Sequence, residues 1–333
     1  MRKTVLDYVR ANINRLTPYS SARDEFKSEA SIFLDANENP FDTGVNRYPN
    51  SAHVELKSKL SEIKGVASDQ ILLGNGSDEI IDLVFRTFCE PREDNIVITP
   101  PTYGMYKVTA EINDIEIRAA YLSTGFKLSA EDVLAQCDNN TKIIVLCSPN
   151  NPSGNLMDQD QVRLILEQVT CPVFIDEAYI DFSIEHSWVN NIAQYPNLII
   201  CQTFSKAWGM AGIRLGICIA SKEVIEVLNK VKPPYNVNTL TEQRALQGLQ
   251  NQVEHDHKVG QLIAQRTFLE TALKEIHFVE EVFHSDANFI LIRVPDAGEL
   301  YDYLMQNGIV VRNRSTQYNC ANTLRLTVGL EAE

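Results

Sequence analysis

The sequence predicts an α/β protein: a large unit with a mainly parallel sheet between helices, followed by a smaller α+β unit. Three observations predict it. From about residue 70 to 220, short apolar runs alternate with segments of helical periodicity. The runs are apolar at successive positions, the pattern of strands covered on both faces. From about residue 221 the texture changes to a long helical tract and then to shorter helix-like and strand-like pieces.

Taken in order, the N-terminal "MRKTVLDYVRANINRL" sets Val5, Val9, Ile13 and Leu16 at near-helical spacing, as an amphipathic arm packed on something. It lacks the continuous apolar stretch and cleavage site of a secretory signal. "ILLGNGSDEIIDLVF" (71–85) reads as a strand, a Gly-Asn-Gly turn and an amphipathic helix. "NIVIT" (95–99) and "KIIVLCS" (142–148) are buried strands, the second followed by the turn "PNNPSG" and the helical "DQDQVRLILEQV". "CPVFID" (171–176), "NLIICQTF" (197–204) and "RLGICIA" (214–220) complete the set. Beyond them come "SKEVIEVLNKV", a Pro-Pro break at 233–234 and helix through Ile276. The chain closes with "FVEEVFHSDANFILIRV", the helix-like "AGELYDYLMQNG" and the strands "IVVRN" and "TLRLTVG".

A chain of 333 residues with 44% hydrophobic and 22% charged residues has the composition of an ordinary globular protein of two domains, or of one large domain with a satellite. Its net charge of −14 argues against nucleic acid or an anionic membrane as the main partner. No stretch approaches the roughly 20 apolar residues of a membrane span. Seven cysteines without a C-x-x-C pair read as reduced thiols of a cytoplasmic protein, with Cys147, Cys201 and Cys218 as small buried hydrophobes. No metal-ligand spacing is present. The "HDH" of His255 and His257 falls in a polar helical stretch and is expected on the surface.

In sheets of this kind ligands bind outside the carboxyl ends of the strands, so the residues after each run come first. After "VLCS", the amides of "PNNPSG" lie beside the sheet edge, although a tight turn needs no other purpose. After "CPVFI" stands Asp176, with Tyr179 three residues on. A carboxylate at the end of a buried strand needs a partner, either a ligand's cation or a structural arginine. After "LIICQTF" stand Ser205 and Lys206. The Gly-Asn-Gly turn is half of a dinucleotide fingerprint whose third glycine is replaced by Glu79; its helix N-terminus with Ser77 makes an anion site, or a plain N-cap. Each feature alone is weak. Together they ask for a ligand with a phosphate, a protonatable ring nitrogen and an aldehyde, which describes pyridoxal 5′-phosphate. A lysine amine condenses with the aldehyde, and a carboxylate keeps the ring nitrogen protonated.

The chain resembles the fold-type I pyridoxal-phosphate aminotransferases, and among them the histidinol-phosphate aminotransferases. The resemblance rests on "LDANENP" (34–40), "RYPN" (47–50), "GNGSDEII", "PPTYGMY" (100–106), "CSPNNPSG", "IDEAY", "TFSKAWGMAGIRLG", "ANFIL" (287–291), "GIVVRN" and "LRLTVG", in family order over nearly the whole chain. It implies transamination between L-histidinol phosphate and 2-oxoglutarate, in histidine biosynthesis. Aromatic amino-acid transamination and threonine-phosphate decarboxylation are the alternatives. It also implies roles: Lys206 carries the cofactor, Asp176 pairs with its ring nitrogen, and Asn151 and Tyr179 bond the ring hydroxyl oxygen. Tyr103 stacks on the ring, while Gly76, Ser77, Asp78, Ser205 and Arg214 surround the phosphate. Arg325 holds the substrate's acid, with Arg312, Tyr19 and Asn151 beside it. No metal is implied. Members are homodimers, so Tyr48 of "RYPN" is expected to reach the neighbouring active site. The chain then divides into an N-terminal arm that also contributes to the small domain (1–47), a large cofactor-binding domain (48–235) and a small C-terminal domain (236–333). Ser153 stands where threonine is commoner in the family. The sequence stops at "TVGLEAE", where members continue into another helix.

Overall fold

The computed structural model describes residues 3–26 and 31–333. Seven strands form the main sheet: β1 (Ile71–Asn75), β2 (Asn95–Ile98), β3 (Glu116–Ala119), β4 (Thr141–Cys147), β5 (Val173–Asp176), β6 (Leu198–Thr203) and β7 (Leu215–Ala220). Their order is β1-β7-β6-β5-β4-β2-β3. The pairs β6–β5, β5–β4, β4–β2 and β2–β3 are parallel, whereas β7 runs antiparallel to both β1 and β6. Because β7 alone is reversed, β1 points the same way as β4, β5 and β6. Their carboxyl ends therefore share one edge, and β7 starts there.

Alternation along these strands divides the core in two. Leu73, Ile144, Leu146, Val173, Ile175, Leu198 and Ile200 face one layer, with Leu56 and Leu60 of the helix Val54–Lys64. Leu72, Ile143, Val145, Phe174, Ile199 and Cys201 face the other, with Ile80, Val84 and Phe88 of the helix Gly76–Phe88. Successive side chains of a strand point to opposite faces, so both faces of each strand must be apolar to be buried. β3 is the exception. Glu116 is exposed and Arg118 half-buried at the sheet's edge, which leaves no apolar run to read.

A second sheet, antiparallel, has the order β10-β11-β9-β8, from β8 (Glu281–Val282), β9 (Phe289–Arg293), β10 (Arg312–Asn313) and β11 (Thr323–Thr327). The helices Gln252–Lys274 and Ala297–Gln306 pack on it around Ile290, Ile292 and Leu324. The expected strand "IVVRN" shortens to two paired residues, because Ile309 and Val310 are exposed rather than paired. At the N-terminus, Val5, Val9 and Ile13 are buried as expected, but the arm is two short turns, Val5–Tyr8 and Ala11–Arg15, and Leu16 stays exposed. His255 departs from its expected surface position. Its ring stacks on Trp208 at 3.8 Å between centroids, with Nε2 buried, while His257 is exposed.

Candidate active site

The shared strand edge fixes the site's geometry. Asp176, the last residue of β5, lies in register between Cys147 of β4 and Cys201 of β6. Lys206 follows the end of β6 by three residues, and Arg214 precedes β7 in a left-handed conformation (φ 54°). β1 ends at Asn75, and the helix Gly76–Phe88 begins beside them. A cavity of about 180 Å³ at this edge gathers Ser77, Asp78, Tyr103, Asn151, Asp176, Tyr179, Ser205, Lys206 and Arg214. Larger clefts of about 780 and 800 Å³ lie along the segment around Phe33 and Leu34 and between Thr4 and Tyr195, but neither collects strand-end groups.

Asp176 is buried. One oxygen accepts from the Tyr106 hydroxyl at 2.6 Å and the other from the Ala178 N–H at 3.0 Å. Burial pushes its pKa up to about 6, against the pull of those two hydrogen bonds. Lys206 acts on it only at longer range, and among the described residues no cation pairs with it. Tyr106 is a partner that the sequence reading missed. It is fully buried on the first turn of the helix Met105–Ile112, where a tyrosine looks like core. Its signal was the three-residue spacing from Tyr103, which puts both rings in edge contact at 5.6 Å.

Lys206 is also partly desolvated. Burial first, and then the charge of Arg325, holds its amine below the ordinary lysine range. The Nζ lies 5.4 Å from the Tyr179 ring centroid. Asn151 connects this side of the cavity to the second sheet. Its amide donates to the Tyr179 hydroxyl at 3.3 Å, and its carbonyl accepts from the Arg325 guanidinium at 2.5 Å.

The opposite wall is an anion cradle. Arg214 donates to Ser205 Oγ at 3.4 Å and to the Ala211 carbonyl at 3.3 Å. Ser205 Oγ in turn accepts from the Thr203 hydroxyl at 3.1 Å. Asp78 faces Arg214 at 3.7 Å and accepts from the Tyr103 hydroxyl at 3.2 Å. As an anion its carboxylate cannot bind a phosphate; it orients Arg214 and Tyr103, and only its N–H is suited to the ligand. Gly76 opens the helix at φ 79°, and a Cβ there would lie 2.5 Å from the Arg214 guanidinium. A Cβ on Gly216 would meet the Gly76 carbonyl at 2.7 Å. Both glycines thus let β7 and the first helical turn close around the cradle.

These residues fit pyridoxal phosphate. Among the described residues the buried Asp176 has no cation partner and Lys206 no carboxylate partner, and the missing side chain at Gly76 lets the Arg214 guanidinium come up to the helix N-terminus. Arg214→Gln is expected to weaken cofactor binding by about ten- to a hundredfold, the loss of one charge-assisted contact. Absorbance titration of the cofactor-free protein measures this, and an unchanged dissociation constant would remove Arg214 from the cradle.

Not every expected residue is brought here. Tyr19 is exposed and lines a separate surface cleft with His53 and Lys57. Tyr48 stacks on Tyr235 at 4.5 Å, half-exposed and away from the cavity of its own chain. Arg312 is exposed and lies directly opposite Arg325 on the β10–β11 pair.

Comparison with known proteins gives a consistent picture. The profile of the family described as aminotransferase class I and II matches residues 27–333. The histidinol-phosphate aminotransferase of Christiangramia forsetii is 52% identical over 327 residues, covering 98% of this chain and 93% of the relative. The crystal structure of the histidinol-phosphate aminotransferase from Clostridium acetobutylicum superposes with a TM-score of 0.80 at 26% identity, over 87% of each chain. That of the histidinol-phosphate aminotransferase from Sinorhizobium meliloti, in complex with pyridoxal-5′-phosphate, gives 0.79 at 19% identity, over 86% of this chain and 79% of the other. At that identity the last match speaks for the fold alone.

Proposed function

We propose that this chain, which belongs to the aminotransferase class I and II family, transfers an amino group between L-histidinol phosphate and 2-oxoglutarate with pyridoxal phosphate as cofactor. The observation that carries the reading is the placement of Lys206 and Asp176 on one cavity, with the anion cradle on one side and Arg325 tethered through Asn151 on the other. The step belongs to histidine biosynthesis.

When bound, the cofactor supplies an electron-withdrawing ring that stabilises negative charge at the substrate carbon losing its proton. The chain's own residues do the rest. Asp176 holds the proton on the ring nitrogen, and Tyr106 and Ala178 hold Asp176 in place. Lys206 carries the cofactor and, with its amine free, takes and returns the substrate's Cα proton. Its pKa, held below the ordinary lysine value by burial, favours the neutral amine that a base requires. Asn151 and Tyr179 orient the ring hydroxyl, and Tyr103 covers the ring face. Gly76, Ser77, Ser205 and Arg214 bind the phosphate, Gly76 and Ser77 through the helix N-terminus. Arg325, with its planar fork, takes the substrate's acidic group, and Arg312 adds charge at the rim.

The working unit in this reading is a homodimer in the cytoplasm. Exposed Ile32 and Leu34, which line one cleft with Tyr48, support it, as an apolar surface that a second copy would cover. Tyr48 then serves the partner's cradle, and residues 48–235 and 236–333 form the large and small domains. No described helix is long and apolar enough to cross a membrane.

The test is a panel of amino donors with 2-oxoglutarate as acceptor. We expect L-histidinol phosphate to exceed phenylalanine in kcat/KM by at least about a hundredfold, the value of one or two charge-assisted contacts. No turnover of L-histidinol phosphate, with good turnover of phenylalanine, would overturn the assignment. Arg312→Ala should lose about tenfold with glutamate and L-histidinol phosphate and little with phenylalanine, since an exposed contact is partly screened. Equal losses with all three would make Arg312 structural.

A further inference from the structure

The β10–β11 pair carries more positive charge than a carboxylate needs. Arg312 lies opposite Arg325 in the register, and the Arg314 N–H donates to the Thr323 carbonyl at 2.9 Å, continuing the antiparallel pairing. Opposed residues share a face and residues two apart along a strand do too, so Arg312, Arg314 and Arg325 all project from one side. Arg293, opposite Thr323 on β9, belongs to that side as well, but Glu281 neutralises it at 3.3 Å. Among the described residues none of the other three has a carboxylate partner.

Arg314 is the unexplained member. A solvated surface arginine would keep its nitrogens in water, yet its Nε is buried without a hydrogen-bond partner, as is that of Arg325. A structural arginine would be aimed at acceptors, yet among the described residues its guanidinium bonds to none. Ser315 Oγ of the same hairpin, a hydroxyl able to donate, is also buried and unpaired. Such unpaired donors are rare in folded proteins, and those of Arg314, Arg325 and Ser315 point to a ligand that supplies acceptors. Burial, followed by the charges of Arg325 and Arg312, pushes the Arg314 pKa down to about 10. Tyr179 of the cavity acts on it in the opposite sense, which puts the side chain within electrostatic reach of the active site.

A single carboxylate is satisfied by one bidentate guanidinium, and Arg325 supplies that. A phosphate dianion has three terminal oxygens and twice the charge, and is better matched by several forks converging on it.

We propose that Arg314 is a specificity-determining residue of the substrate site, completing with Arg325 and Arg312 a three-guanidinium pocket that selects a phosphate over a carboxylate. The assignment rests on the substrate reading given above. In the holoenzyme, Arg314→Gln should raise KM for L-histidinol phosphate about ten- to a hundredfold, while kcat and the KM for glutamate stay within about threefold. Calorimetry with 2-(imidazol-4-yl)ethyl phosphate, an unreactive phosphate monoester, should show the same weakening. Arg314→Lys, which keeps the charge and loses the fork, should fall between. In phosphate-free buffer the Tm of Arg314→Gln should equal or exceed that of wild type, because one of three unpaired like charges is gone. A lower Tm, an unchanged KM for L-histidinol phosphate, or equal losses with both substrates would overturn the role of Arg314 and leave the functional reading standing. Wild-type enzyme that ignores L-histidinol phosphate would overturn both.

Discussion

Lys206→Ala is expected to abolish turnover, with a loss of at least about a thousandfold, since in the proposed function that residue both carries the cofactor and moves the substrate's proton. Pyridoxal phosphate should still bind, because Arg214, Ser205 and the first turn of the helix Gly76–Phe88 are untouched. The variant should therefore hold the cofactor noncovalently, and denaturation after borohydride treatment should release it with its aldehyde reduced to the alcohol, leaving no pyridoxyl label on the protein. In wild type the same treatment should leave the pyridoxyl mass on the peptide containing Lys206. Label on any other lysine, or turnover within tenfold of wild type in the variant, would displace Lys206 from its role.

The second large effect concerns Asp176, and it has opposite signs with and without cofactor. In the cofactor-free protein the folded-state pKa is raised from 3.8 to about 6. The stability linked to its protonated form is fully present below the unfolded pKa near 3.8 and is lost as pH rises through about 6. Above that, burying the ionised carboxylate costs about 3 kcal/mol, at roughly 1.4 kcal/mol per pKa unit. Asp176→Asn removes the cost while keeping a group for Tyr106 and Ala178 to bond. The cofactor-free variant should thus be more stable than wild type at pH 8, and the two should converge below pH 4. With cofactor the substitution is harmful, and the loss is read in turnover. Losing one member of a buried ion pair should reduce turnover about 10²–10⁴-fold. Urea melts of the cofactor-free proteins at the two pH values, together with kcat of the holoenzymes, decide it. A variant less stable at pH 8 would mean that Asp176 is satisfied by its protein partners alone.

Much of this was legible because of one regularity. Strands β4, β5 and β6 are apolar on both faces, so each ends visibly where polarity returns, and Asp176 and Lys206 stand at or just past those ends. The same regularity explains what stayed hidden. β3 is an edge strand with Glu116 and Arg118 toward solvent, so periodicity offered nothing. Tyr106 reads as core because its hydroxyl finds its acceptor 70 residues away, a pairing that only the register of β5 supplies. Arg314 sits in the polar stretch "RNRSTQYN", indistinguishable from a loop until the register puts it beside Arg325. His255 reads as surface because its stacking on Trp208 depends on where the helix Gln252–Lys274 docks. Local patterns thus located the strand ends, whereas contacts between distant segments chose the neighbours.

The reversed strand β7 has a kinetic consequence. It inserts between β6, just before it in the chain, and β1, whose Asn75 pairs with Leu215 across 140 residues. The turn at Gly76 and the guanidinium of Arg214 therefore come together only when the chain closes that loop, a contact of high sequence separation whose entropy must be met before any reward arrives. The anion cradle should be among the last parts of the molecule to form and the first to be lost. Cofactor added during refolding then acts as a late latch. It cannot speed the early collapse, but it should slow the opening of the β1–β7 seam and raise the apparent stability in proportion to the logarithm of its concentration.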